Sequence, residues 1–445
     1  MATRSKHVLI LGGGYVGLYT AWELQKHASS AGLRITVVEP NPYMTYQPLL
    51  PEVAGGQVEP RNVTVQLRRA LRKSNVLRGE LESLDVDAKT ASVRDLQGTT
   101  RRLDYDHVVI ATGSVSRTFP TPGLAENAVG FKTLEEAVYV RDRVLDNIAL
   151  AAASTDADER AKALTFVFIG GGYTGVEALG ELNDLAKITV DAYPEVDRSD
   201  LRWVLIEALD RVAPEVGPSL SRYTLGKLRD RGIDVRFETT VTSCVDGDVV
   251  LSTGETIPAN TIVWTAGVKP NPVLDATNAP RGPKGHVNVN PYLQVAHEDG
   301  TIVDGAWAAG DNAQVPDLTA ETQPAYCPPN AQHALRQAKR LAKNIAAVLE
   351  GREIEEYRHA SLGTVASYGF GKGAANIKGL KLRGALAWLA HRAYHGMAMP
   401  TVNRKIRVFA GWATGVVLPR DITPMSAHEH PRDAFMRNVA ANDRK

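Results

Sequence analysis

The sequence predicts an α/β protein that uses one strand–loop–helix plan twice, and three observations carry that reading. Gly12-Gly13-Gly14-Tyr15-Val16-Gly17 and Gly170-Gly171-Gly172-Tyr173-Thr174-Gly175 are glycine loops of one kind, 158 residues apart. Each follows a short β-branched and apolar run, His7–Leu11 or Thr165–Ile169, and opens a helix-like pattern. Each is followed by another strand-like run that ends on an acid, Glu39 or Glu207. In such a loop the first glycine allows the turn, the second admits a pyrophosphate, and the third lets helix and strand approach. The phosphates meet free N–H groups and the positive end of the helix dipole. Two Rossmann-like domains holding two dinucleotides are therefore expected, with two electron carriers face to face.

The acids refine this. Glu39 stands 22 residues after Gly17, the spacing at which a carboxylate accepts from a ribose hydroxyl. Glu207 stands 32 residues after Gly175, and the extra length is assigned to an insertion after the helix, in the polar stretch 186–200. A carboxylate suits a free 2′-hydroxyl and repels a 2′-phosphate, so Glu207 favours NADH over NADPH; Arg211, four residues on, is placed to compensate. The plainer alternative for both loops is that their glycines serve packing alone.

After Glu39 comes a proline-marked loop, 41–51, then helix-like residues to about Lys73. Three strand-like runs follow between 76 and 109, separated by turns at 87–89 and 97–98 and ending on Ala111-Thr112-Gly113. The second half repeats the plan: runs at 235–242, 248–252 and 261–264 end on Thr265-Ala266-Gly267. Each unit thus carries a β-meander crossover. The stretch 151–162 reads as an exposed helix end or insertion, Gly310-Asp311 closes a small-residue strand, and a long helix runs from Asn330 to about Glu350. The expected division is 1–120 and 285–360 for the first dinucleotide domain, 121–284 for the second, and 361–445 for a basic, amphipathic C-terminal region.

With 445 residues, 44% hydrophobic and 23% charged, the chain suits two or three folded domains. The first strand begins by about residue 7, which leaves no room for a signal peptide, and no apolar run reaches the length of a membrane span. Cys244 and Cys327 are the only cysteines and form no C-x-x-C pair, so neither a redox-active dithiol nor a cysteine-rich metal site is expected. Charge is uneven. Residues 361–445 hold 13 Lys and Arg against 4 Asp and Glu, so the preceding 360 carry −8 of a net +1. The tail is expected to meet something anionic.

Taken in order, two glycine loops, Ala-Thr-Gly, a late Ala-Gly-Asp and a helix beginning Ala331-Gln332 resemble the flavoprotein reductases with two dinucleotide-binding domains. Within them the chain resembles the type II NADH dehydrogenases, single-subunit NADH:quinone oxidoreductases that do not pump protons. Tyr46-Gln47-Pro48-Leu49-Leu50-Pro51-Glu52-Val53-Ala54 is similar to that family's Phe-Gln-Pro-Leu-Leu stretch beside the isoalloxazine ring. The segment 328–334 is similar to its Ala-Gln-x-Ala-x-Gln quinone motif, except that Arg336 stands where the second glutamine is expected and Gln337 comes one position late, rotated off that face. The resemblance implies FAD held by Gly12, Gly14, Gly17, Glu39, Gln47, Leu49, Thr112, Gly113, Gly310, Asp311 and Ala331. It implies NADH held by Gly170, Gly172, Thr174, Gly175, Glu207 and Gly267, with Glu177 as a catalytic residue beside the nicotinamide. Quinone would meet Gln332 and Arg336, each with a solvated helix face as its alternative. Lys372 matches a family lysine near the flavin only loosely. The implied reaction passes a hydride from NADH C4 to flavin N5 and then two electrons to a membrane quinone such as menaquinone; no metal is involved.

In the tail, Leu382, Ala385, Leu386, Leu389 and Ala393 recur at helical spacing with Trp388 and flanking Lys381, Arg383, His391 and Arg392. A second basic stretch, Arg404, Lys405 and Arg407, precedes Val408 to Trp412. This suits a helix lying in an anionic membrane surface, hence a peripheral protein on the cytoplasmic face of the cell membrane. The alternatives are packing on the protein's own core or on a second copy in a homodimer. Rival functions are a soluble NAD(P)H-dependent reductase serving a ferredoxin-like acceptor, and a redox-sensing binding module; no nucleic-acid-binding motif is present. A sulfide:quinone reductase would need cooperating cysteines.

Overall fold

The computed structural model describes residues 5–27, 32–426, 432–433 and 435–437. It divides into two compact units: Met1–Tyr46, Thr64–Arg117 and Val268–Ser361 in the first; Gln47–Val63, Thr118–Gly267 and Leu362–Lys445 in the second.

The first unit is organised by His7–Leu11, buried along its whole length. It pairs in parallel with Arg34–Glu39 on one side and His107–Ile110 on the other. Ile302–Ala308 and Asn75–Asp85 extend the parallel set outward. Near-continuous apolar runs are what a sheet covered on both faces requires. Asn75–Asp85 then turns antiparallel with Thr90–Asp95, which pairs with Thr100–Asp104, so the meander continues the main sheet. The loop helix Tyr15–Leu24 packs against Ala331–Leu349, whose N-terminus is capped by the Asn330 side chain accepting from His333 N–H.

The second unit repeats the plan with five parallel strands, in the order Ala128–Gly130, Thr261–Trp264, Thr165–Ile169, Arg202–Ile206, Ile233–Arg236. Its meander is a separate three-stranded antiparallel sheet, Val241–Ser243, Asp248–Leu251 and Thr256–Pro258. Val167, Val204, Ile206, Val249, Ile257 and Ile262 share one core beneath both. The stretch 151–162 is an exposed helix end, as expected: Leu134–Ala153 finishes there and Ala157–Ala163 begins.

Several expectations need correction. The loop helix of the second unit runs Tyr173–Val190, against 10 residues in the first, so part of the supposed insertion is helix. Residues 50–73 are not one helical stretch: Leu50–Ala54 and Leu67–Ala70 are short helices separated by the strand Thr64–Gln66. The units also cut the chain elsewhere than at 120, 284 and 360. Gln47–Val63 leaves the first unit, and the tail belongs to the second instead of standing apart. It forms an antiparallel sheet, Gly363–Ser367, Gly373–Ile377 and Leu380–Arg383, then helices Gly384–Ala398 and Val402–Val417. Leu382 therefore lies on a strand, not on the helical stripe. Residues 427–431, 434 and 438–445 of the tail lie outside the described residues.

Gly180 shows how closely the tail docks: a Cβ there would lie 2.5 Å from the Tyr368 carbonyl oxygen. Gly180→Ala should destabilise the second unit by about 1–3 kcal/mol through overpacking, read as an earlier urea unfolding midpoint.

Candidate functional site

At each loop the backbone comes closer than any side chain permits. Gly12 has φ +112° and a Cβ there would meet the Ala111 carbonyl oxygen at 2.2 Å; a Cβ at Gly17 would meet the Gly12 carbonyl oxygen at 1.8 Å. Gly170 has φ +109°, and a Cβ at Gly175 would lie 2.0 Å from the Gly170 oxygen. Gly14 behaves differently, since a Cβ there would have nothing within 4 Å. Gly14 and Gly172 begin their helices with no side chain of their own to cap them; at the second helix Glu215 accepts from Tyr173 N–H. Thr174 is exposed in that first turn.

The two acids repeat each other. Glu39 accepts from Gly13 N–H at 2.6 Å and Asn41 N–H at 3.1 Å. Glu207 accepts from Gly171 N–H at 2.5 Å and Leu209 N–H at 2.8 Å. Each thus braces its loop and retains lone pairs for a ribose. Burial raises the Glu39 pKa, opposed by those two N–H groups. Arg211, the side chain that would admit a 2′-phosphate, pairs with Asp210.

Around the first loop the structure gathers most of the expected residues. Asn312 is fully buried, accepts from Gly113 N–H and donates to the Ile110 carbonyl, which fixes the Gly310–Asn312 turn to the strand end. Ser114 donates to Asp311 at 2.6 Å. Gly310 has φ +78°, and a Cβ there would meet Val16 at 2.7 Å. The Thr112 hydroxyl is buried without a partner. Open space over Gly14, an uncapped helix N-terminus and this orphaned hydroxyl fit a dinucleotide such as FAD. At the second loop Thr174 is exposed and Gly267 has φ +96°, but Glu215 Oε1 lies 3.5 Å from where a Cβ of Gly172 would stand. Gln47 and Leu49 belong to the second unit, where Gln47 donates to the Lys132 carbonyl and Leu49 is fully buried.

The helix Ala331–Leu349 explains the displaced glutamine. Gln337 is buried and accepts from Gly310 N–H at 2.8 Å, so it anchors the Asp311 turn. Gln332 and Arg336 are half-buried on another face: Arg336 donates to the Gln332 carbonyl, and the Gln332 side chain bonds His359 at 3.0 Å. His333, buried, bonds the Tyr357 hydroxyl. Lys372 is half-buried and pairs with Asp184 at 3.1 Å.

Glu177 is buried, one turn into the second loop helix, and accepts from Ser367 N–H at 2.9 Å. Burial pushes its pKa up to about 8. His391 of the tail lies 3.4 Å from it, and Glu52 lies 3.9 Å beyond His391. Sequence reasoning placed neither in a site. In sequence Glu52 looked like the start of the helix-like residues after the proline-marked loop, and His391 like a base flanking an apolar stripe.

Residues 6–338 match the pyridine nucleotide-disulphide oxidoreductase family. The chain is 31% identical over 395 residues to type II NADH:quinone oxidoreductase of Staphylococcus aureus, covering 87% of this chain and 93% of that one. In fold it is similar to NDH2 from Plasmodium falciparum in complex with NADH, with TM-score 0.85 at 19% identity over 94% of this chain and 100% of the other. It is also similar to the sulfide:quinone oxidoreductase of Aquifex aeolicus, with TM-score 0.69 at 20% identity over 93% and 96%.

Gly14→Val places its side chain in open space and should leave the fold intact. Loss of two phosphate hydrogen bonds at about 1.5–3 kcal/mol each weakens binding about a hundredfold or more, so the purified variant should lose its flavin absorbance. Retained flavin would mean that the loop serves packing alone.

Proposed function

The chain belongs to the pyridine nucleotide-disulphide oxidoreductases, and within them to the type II NADH:quinone oxidoreductases, and from that premise we propose how its residues divide the work. The activity is oxidation of NADH with a quinone as electron acceptor, with FAD and NADH as cofactors. Bound FAD supplies the acceptor for the two electrons of NADH and their release to the quinone.

Gly12, Gly14 and Gly17 receive the FAD pyrophosphate, Glu39 its ribose, and Thr112, Gly113, Gly310, Asp311 and Ala331 the remainder, with Gln47 and Leu49 toward the isoalloxazine. Gly170, Gly172, Thr174, Gly175 and Gly267 receive NADH. Glu207, its oxygens already held by the loop, accepts from the 2′-hydroxyl and repels a 2′-phosphate. The domains follow these roles, the first unit serving FAD and the second NADH. The observation that carries the assignment is the repeated device of an acid bonded to the middle glycine N–H. Glu177 holds a proton near the nicotinamide end of the second loop helix. Gln332 and Arg336 meet the quinone, Arg336 adding a cation where the family has an amide.

A membrane surface is the tail's partner, and the protein sits peripherally on the cytoplasmic face, where menaquinone is the quinone. Support comes from an inverted helix. Gly384–Ala398 exposes Leu386 (66%), Leu389 (53%) and Met397 (63%) while burying Trp388, His391, Arg392 and His395. A helix on a water-facing surface has the opposite arrangement. Ile406, Val416 and Val417 continue the apolar exposure, with Lys381, Arg383 and Arg407 also exposed. Among the described residues no helix is long and apolar enough to cross a membrane.

An acceptor screen with NADH and NADPH should give menaquinone reduction driven by NADH; reduction of a ferredoxin and of no quinone would reject the reading. Leu386→Asp with Leu389→Asp should release the protein from anionic vesicles while reduction of a short-chain, water-soluble quinone stays within about twofold, since exposed substitutions change stability little. Glu207→Gln should narrow the NADH over NADPH preference by about tenfold, the loss of roughly 1.4 kcal/mol of charge discrimination, measured as kcat/KM.

A further inference from the structure

The inward face of the Gly384–Ala398 helix closes over a group of buried ionisable side chains. Glu52 comes from Leu50–Ala54, and Glu177 and Glu181 lie one turn apart on Tyr173–Val190. The tail contributes His391, Arg392, His395 and Arg420. Arg420 pairs with Glu181 at 3.3 Å, and Gln57 also donates to Glu181. Arg392 lies against Trp388 and Trp412, 3.8 Å from Glu52, whose other oxygen accepts from Trp412 N–H. Asp184, the next acid along that helix, has Arg231 and Lys372 for itself.

Three buried carboxyls face two guanidinium groups, so at least one carboxyl keeps its proton at neutral pH, and desolvation favours a second. Glu177, with a neutral Ser367 N–H as its hydrogen-bond donor and no cation beside it, is the first of these. Burial pushes Glu52 up to about 7 as well, opposed by Arg392, and holds His391 down to about 3 and His395 low beside it, so both imidazoles are neutral.

His391 lies between the two carboxyls. Its Nε2 is 3.4 Å from Glu177 Oε1 and its Nδ1 is 3.9 Å from Glu52 Oε1. His391 Nδ1, Glu52 Oε1 and Arg392 Nε are all buried without a hydrogen-bond partner. Gaps of this length between orphaned polar atoms suit one bridging water with three partners. Side-chain exposure falls from 11% at Glu177 to 3% at His391 and 1% at Glu52, so Glu177 is the outer end.

We propose that Glu52, His391 and a water bound by Glu52 Oε1, His391 Nδ1 and Arg392 Nε form a buried proton store that recharges Glu177. This rests on the reading of Glu177 as a proton-holding residue given above. Turnover consumes one proton, since NADH, H+ and quinone give NAD+ and quinol. When Glu177 is ionised, the Glu52 carboxyl gives its proton through the water to His391 Nδ1, and His391 Nε2–H gives its own to Glu177. The imidazole ends as its other neutral tautomer, the negative charge moves to Glu52 beside Arg392, and no electron is transferred. His391 is then a relay and Glu52 a reservoir; neither touches substrate.

The test compares flavin-loaded wild type, His391→Gln, Glu52→Gln and Glu177→Gln. Infrared titration through neutral pH should show two protonated-carboxyl bands, one lost in each Glu→Gln variant. His391→Gln should keep both bands but exchange the Glu52 proton for deuterium about tenfold more slowly or worse, at the low end of what positioned proton transfer contributes. In stopped flow, His391→Gln and Glu52→Gln should slow the quinone half-reaction about tenfold above the Glu177 titration while the NADH half-reaction changes less than about twofold. Wild-type deuterium exchange at Glu52 in His391→Gln, or an unaltered quinone half-reaction in both relay variants, overturns the proposal. If Glu177→Gln leaves that half-reaction unaltered, the reading of Glu177 fails; if Glu177→Gln alone slows it, the store fails by itself.

Discussion

Both units depend on the contact between a side-chain-free residue in the first turn of a helix and the carbonyl oxygen that opens its loop. At Gly17 and Gly175 a single methyl group would penetrate that oxygen. The approach brings each helix N-terminus onto the end of its strand. The acid at the end of the neighbouring strand then completes the loop by accepting from its middle glycine. The polarity of the site, a helix N-terminus with one carboxylate at its side, follows from that packing, and it is the polarity that the proposed dinucleotide would meet.

The second unit adds a different constraint. Its helix Gly384–Ala398 turns ionisable groups inward and leucines outward, which costs free energy on both faces unless each finds a suitable medium. Inside, Arg392 lies against two tryptophans beside Glu52, and Arg420 pairs with Glu181. Outside, Leu386, Leu389 and Met397 are exposed on a surface that also carries Lys381, Arg383 and Arg407, and it is this face that the proposed membrane attachment would remove from water. A helix so arranged would link that attachment to the buried acids beneath it.

Much of this was legible because its signals are local. The glycine loops, Glu39, Glu207 and the Gly310-Asp311 turn each depend on a few neighbouring residues whose spacing fixes the geometry, and the duplicated sheets follow from them. Gln337 is instructive in the other direction. Counting by helical position put it on another face than Gln332 and Arg336, where the structure has it, but the Gly310 N–H that it serves lies 27 residues away and left no periodic mark. The buried acid group was illegible for the same reason on a larger scale. Glu52 meets Arg392 and Trp412 across more than 300 residues, and a helix with inverted amphipathicity reads in sequence as an apolar stripe with decorative bases. The domain limits were missed because Gln47–Val63 packs with the tail, where Glu52 meets Arg392 and Trp412, residues remote from it in sequence.

An anaerobic titration of the oxidised holoenzyme distinguishes one FAD and one NADH site, in a chain without a C-x-x-C pair, from other arrangements of electron carriers. One NADH per bound flavin should bleach the flavin completely, and one quinone per flavin should restore it. Uptake of a second NADH equivalent per flavin, or a bleached flavin that quinone fails to restore, would contradict that arrangement.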